Sequence, residues 1–212
     1  MTDVAAPSTS KRRSLLSRLQ NAILVVVTGV FLYAHVQHVI VDQVFTSIPF
    51  AIEQAILVGI FLTRRRSENT STRPIDWVFA TLGGWLPLLF QVQGDVATSM
   101  GIAGTTLQMV GLGLSLVGFL YLGKSFGIVA ANRGLKVNGP YRFVRHPIYC
   151  AHFITISGFL IANMSGINLA IYLVASSAQL MRIRAEERVL TETGDYAAYK
   201  SRVRWRIMPG LF

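Results

Sequence analysis

The sequence predicts an all-α fold, a polytopic membrane bundle of about five to six spanning helices, and three observations carry that expectation. The 212 residues are 52% hydrophobic and only 14% charged, where a soluble domain carries about 25% charged residues. Apolar runs recur near 21–41, 47–63, 75–92, 101–122, 147–163 and 166–183, several of them close to the ~20 residues that cross a bilayer as a helix. All 20 lysines and arginines lie before the first run, at 64–73, at 124–145 or after 181. The intervening loops, near 42–47, 92–100 and 163–168, hold none. The positive-inside rule then gives six segments with both termini cytoplasmic.

In chain order, residues 1–18 are expected to form a disordered, basic N-terminus. The Ala/Ser/Thr/Pro-rich start cannot bury a core, and Lys11, Arg12, Arg13 and Arg18 suit an anionic headgroup layer. The length of this polar start, with no small-residue cleavage site after the first run, argues against a cleaved signal peptide. Residues 19–122 are the N-terminal spans. The first ends in His35, His38 and Asp42; the second carries Glu53 and ends in Arg64-Arg65-Arg66. The second and fifth runs are short enough to tilt or to thin the bilayer. Arg73, Pro74 and Asp76 make a helix-start pattern, and Gly83, Gly84 and Pro87 predict a kink in the third span. The fourth holds Gly101, Ala103, Gly104, Gly111, Gly113 and Gly118, small residues that let helices approach closely in lipid. Residues 123–212 comprise a polar loop, an apolar hairpin turning near 163–168, a last helix running past Arg182, and a polar tail with Trp205 and Pro209.

Composition excludes several functions. The net charge of +10 is explained by topology and lipid contact. A nucleic-acid partner would need a basic face on a soluble domain, so the expected partners are the membrane and a lipid-like molecule, with no nucleic acid. The single cysteine, Cys150, excludes an internal disulfide or a cysteine zinc cluster. His35 and His38 are spaced i,i+3 but have no further histidine or cysteine nearby, so no metal site is expected. His152 is expected to pack between helices. Gly111-Leu112-Gly113 with Gly118 lies inside an apolar helix with no strand before it, which fails the context of a dinucleotide loop.

The densest polar stretch is Asn138-Gly139-Pro140-Tyr141-Arg142-Phe143-Val144-Arg145-His146-Pro147-Ile148-Tyr149. Gly139-Pro140 forces a turn, and Pro147 takes the favoured first position of a helix. That helix N-terminus, with Arg145 beside it, suits a carboxylate or phosphate. A hairpin returns the chain to the side it left, so Arg145-His146 should meet Arg182 and Glu186-Glu187 in a polar pocket at the cytoplasmic interface. Arg182 is i−4 to Glu186 and shares its face, an ordinary ion pair being the plain alternative. Glu187 points about 100° away, toward another partner.

Taken in order, Gly139-Pro140-Tyr141, Arg145-His146-Pro147-Ile148-Tyr149, the apolar hairpin, Arg182 with Glu186-Glu187, Gly194-Asp195-Tyr196 with Tyr199, and Arg206-Ile207-Met208-Pro209 resemble the membrane isoprenylcysteine carboxyl methyltransferases and the related phospholipid methyltransferases. The likeness spans roughly the C-terminal residues 123–212; Arg133 stands where that family often has histidine, and Thr193 where phenylalanine is common. The resemblance implies an all-helical membrane enzyme using S-adenosyl-L-methionine, with carboxyl O-methylation of an isoprenylcysteine-type acceptor as the leading expectation. It implies cofactor contacts from Arg133, Gly134, Leu135, Lys136, Tyr141, His146, Pro147, Ile148, Tyr149 and Glu186, to which the charge argument adds Arg145, and a substrate contact from Arg182. An amine acceptor would need Glu187 or His146 as base. The alternatives are a phospholipid amine N-methyltransferase, an NADPH-dependent sterol-type membrane reductase, and a non-enzymatic relative.

Overall fold

The computed structural model describes residues 8–41, 43, 48–63, 69–91, 99–127, 129–132, 134–192 and 195–210. It divides into two compact units, 1–63 and 64–212. The first holds α1 (Ser8–Ile40) and α2 (Ile48–Thr63), which pack on each other. His35 stacks on Phe50, ring centroids 5.3 Å apart. Helix α1 begins at Ser8, so part of the N-terminus expected to be disordered is helical. Its Leu-, Arg- and Lys-containing sequence favours continuing the helix out of the apolar run.

The second unit holds α3 (Pro74–Trp85), α4 (Ser99–Leu122), α5 (Pro147–Ala162), α6 (Gly166–Thr191) and α7 (Asp195–Arg202). The expected kink takes the form of a helix end: α3 stops at Trp85 and a tight 3-10 turn, Leu86–Leu89, follows with Pro87 at its start. Among the described residues, three helices are long and apolar enough to cross a membrane, over Asn21–Ile40, Ser99–Leu122 and Gly166–Thr191. The apolar stretches of the second and fifth runs, Phe50–Thr63 and Pro147–Ala162, are the short ones, as their sequences indicate. The all-α membrane bundle is thus the observed fold. The strands among the described residues are the two-residue pair β1 (Asn69–Thr70) and β2 (Ala131–Asn132), antiparallel. The Ser71 amide extends it by donating to the Ala130 carbonyl at 2.9 Å.

Glycine spacing explains the closest packing. Gly104, Gly111 and Gly118 recur every seventh residue of α4 and so share one face. A Cβ on Gly111 would lie 2.4 Å from Thr155 Oγ1, one on Gly118 2.6 Å from Ile148, and one on Gly104 2.5 Å from the Gly158 carbonyl. The backbones of α4 and α5 therefore touch, antiparallel, along their length. Packing of backbone on backbone replaces the hydrophobic drive that lipid removes.

The hairpin α5–α6 turns at 163–165, where the Ser165 hydroxyl accepts from the Asn168 amide at 3.2 Å and caps α6. Its two helices pack mainly elsewhere, α5 on α4 and α6 on α3. Gly83 of α3 leaves room for α6: a Cβ there would lie 2.8 Å from Gln179 Oε1 and 3.1 Å from Arg182 Cδ. Asn168, wholly buried, ties the far end of this pair. Its side chain exchanges hydrogen bonds with the Gln91 backbone, at 2.9 and 2.8 Å. Buried amide groups in lipid demand such pairing.

Candidate functional site

The site forms where α5 begins and α6 nears its end. The turn Gly139–Arg142 precedes it. Gly139 has φ +60°, and a Cβ there would lie 2.4 Å from the Tyr121 ring, so both conformation and space demand glycine. The Tyr141 carbonyl accepts from the Tyr199 hydroxyl at 2.7 Å, which fixes this turn against α7. Tyr196, Tyr199 and Val203 form a buried cluster with Leu135 and Val137 packed on it. The segment after α7 then passes beside the site. The Arg145 amide donates to the Trp205 carbonyl at 2.9 Å and the His146 amide to the Arg206 carbonyl at 2.7 Å. Ile207 packs with Tyr149 and Ile183. Arg145 and His146 are thereby held by main-chain bonds before any side chain is considered.

His146 precedes α5, with Pro147 in the first turn. Its ring lies between two carboxylates: Nε2 is 3.3 Å from Glu187 Oε1, and Nδ1 is 3.7 Å from Glu186 Oε2. Glu187 also meets Arg145 Nε at 3.2 Å and Arg206 Nε at 3.1 Å. The Arg145 contact is an ion pair without hydrogen-bond alignment. Glu187 and His146 are both only 6% exposed. A buried carboxylate shared by two arginines and a histidine is a structural hub, since burying it unpaired would cost several kcal/mol.

Glu186 has different surroundings. Its Oε1 accepts from the Tyr149 hydroxyl at 2.6 Å, and its side chain is 23% exposed. Arg182, buried one turn earlier, donates from Nη1 to Gln179 Oε1 at 2.6 Å. Its guanidinium carbon stands 5.3 Å from the Tyr149 ring centroid, a cation–π contact. The His146 and Tyr149 rings meet edge to face, centroids 5.6 Å apart.

The structure therefore brings together Tyr141, Arg145, His146, Pro147, Tyr149, Arg182, Glu186 and Glu187. Ile148 faces the other way, against Gly118 of α4. Its backbone and that of Tyr149 still belong to the first turn, where helix geometry leaves amide donors without intrahelical acceptors. Gly134, exposed at φ +96°, leads into Leu135 and Lys136. Arg133, Thr193 and Gly194 lie outside the described residues. His152, expected as a packing residue, is in α5 with a buried ring nitrogen. Sequence reasoning placed Arg206 among the resemblance motifs without a role, and it missed the brace made by Asp76. The Asp76 carboxylate pairs with Arg188 of α6 and accepts from the Ser71 hydroxyl, pinning α3 to the end of α6 that carries the site. The signal was an acid inside an apolar run, there explained as a helix start.

Residues 95–195 match the family model described as phospholipid methyltransferase, and this stretch belongs to that family. The match begins earlier than the motif-based likeness, taking in all of α4, and ends within α7's first turn, before Arg206. The family implies a membrane methyltransferase acting on lipid. No curated protein matched the chain.

Proposed function

We propose that the chain transfers a methyl group from S-adenosylmethionine to the carboxylate of an isoprenylcysteine-type lipid, at a pocket on the cytoplasmic side of the membrane. The observation that carries the reading is the contrast between the two acids. Glu187 is consumed by Arg145, His146 and Arg206, whereas Glu186 is oriented by the Tyr149 hydroxyl and keeps part of its carboxylate open.

The donor set fits the cofactor's polar groups. Glu186 would take the ammonium, and the first-turn amides of α5 with Arg145 close by would take the carboxylate. Gly134, Leu135, Lys136 and Tyr141 would border the rest, with Arg133 completing that segment. S-adenosylmethionine supplies a methyl group already activated by its sulfonium. The chain's own work is then to orient and to exclude water. Arg182 would aim the acceptor carboxylate through paired hydrogen bonds. A carboxylate is ionised at neutral pH and needs no base, which agrees with a Glu187 whose oxygens are already engaged. His146 steadies both glutamates. The lysine and arginine distribution supports the cytoplasmic placement.

The second reading is N-methylation of a phospholipid amine, favoured by the description of the matched family. Methyl transfer from labelled S-adenosylmethionine to a farnesylcysteine analogue and to phosphatidylethanolamine separates the two. The carboxylate reading expects a base-labile methyl ester on the first. A base-stable N-methyl product on the second alone overturns it in favour of the amine.

A further inference from the structure

The polar residues of α6 are not confined to its end. Tyr172, Ser176, Gln179, Arg182 and Glu186 follow one another at steps of three or four, so they lie within about 120° of the helix circumference. A helix of a lipid-embedded bundle does not place such a stripe toward acyl chains. Two hydrogen bonds show that α5 faces it. The Tyr149 hydroxyl donates to Glu186 at the site end, and Ser157 bonds to the Tyr172 hydroxyl at 3.0 Å, deeper along the pair.

Between those two ties lie two buried polar atoms. His152 Nε2 on α5 and Ser176 Oγ on α6 are buried and have no hydrogen-bond partner among the described residues. His152 is within electrostatic range of Arg182. Leaving a buried polar group unsatisfied is costly, and apolar residues would pack this seam without that cost. Polar atoms kept there, within range of a cation, suit a ligand with oxygens.

We propose that the seam between α5 and α6 is the slot for the acceptor's anionic headgroup, with His152 and Ser176 as specificity-determining residues that hydrogen-bond its oxygens beside Arg182. The proposal rests on the methyltransferase reading and adds residues to it. The shared chemistry is an anionic oxygen, which a lipid carboxylate and a phosphodiester both present.

The test uses the full chain in detergent, with His152→Ala, His152→Gln and Ser176→Ala. Methyl transfer is measured against a farnesylcysteine analogue and against phosphatidylethanolamine in mixed micelles, with S-adenosylhomocysteine binding and thermal midpoint recorded for each variant. The expected result is an acceptor KM raised about tenfold by His152→Ala and partly restored by His152→Gln, whose amide can occupy the place of Nε2. Ser176→Ala raises it about threefold. Cofactor affinity and midpoint stay at wild-type values, which separates this role from a packing role. The arm in which the shift occurs identifies the carboxylate or the phosphate. Wild-type KM values in both arms, or a shift accompanied by an equal loss of cofactor affinity, overturn the slot while the methyltransferase reading stands. A wild type that binds S-adenosylhomocysteine to neither preparation and methylates neither lipid overturns both.

Discussion

Glu186 and Glu187 are adjacent in sequence, and the helix turn that separates them by about 100° gives them different chemistry. Glu187→Ala would leave Arg145 and His146 buried without their shared anion, a change that costs about 3–5 kcal/mol. It should appear as a large drop in the unfolding midpoint in detergent. Tyr199 bears on the same site through pH. Its burial, with the Glu187 charge adding and the Arg145 charge opposing, pushes the phenol up to about 12. Burial and the Glu186 charge raise Tyr141 as well. A phenol with a raised folded-state value stabilises fully below its ordinary value near 10, and the contribution is lost as pH rises toward the folded value. The midpoint should hold to about pH 9 and fall from about pH 10, and Tyr199→Phe should lower it by the equivalent of about 1 kcal/mol while reducing that alkaline fall. Sequence alone singled out His146, Arg182 and both glutamates, because charges beside apolar runs are conspicuous. It could not apportion them. Which acid meets Arg206 depends on a tail that returns from beyond α7, and no local spacing encodes that return.

At the scale of elements, the seven-residue glycine rhythm of α4 makes the sharpest prediction. Gly111→Val places side-chain atoms where Thr155 and the Ala151 carbonyl already stand, an overpacking that costs about 1–3 kcal/mol. Gly113 faces open space, so Gly113→Ala should leave the midpoint unchanged or raise it by improving helix propensity. The apolar runs were legible because their lengths match a bilayer, and α1 to α6 fall where those runs lie. The pairing of the hairpin was less so. A short turn suggests two helices packed on each other, yet α5 lies mainly on α4 and α6 on α3. The reason is visible in small residues: Gly158 and Ala151 meet the α4 glycines, and Gly83 admits α6. The Asp76–Arg188 brace escaped notice because its partners are far apart in sequence and each has an ordinary local explanation.

For the whole molecule, the claim is that one end of the second unit is a cytoplasmic cofactor pocket opening onto lipid. Sidedness is testable in a Cys150→Ser background. A cysteine at exposed Ser201 should react with an impermeant maleimide only from the cytoplasmic face, and one at exposed Met164 only from the opposite face. The reverse pattern would contradict the orientation. The central claim, that Glu186 with the start of α5 binds S-adenosylmethionine, is met most directly by calorimetry of S-adenosylhomocysteine binding to the purified protein. The wild type should bind, and Glu186→Ala should bind at least about tenfold more weakly, a loss of about 1.4 kcal/mol or more. Equal binding by both would remove Glu186 from the pocket, and a wild type that binds NADPH in place of S-adenosylhomocysteine would contradict the cofactor assignment itself.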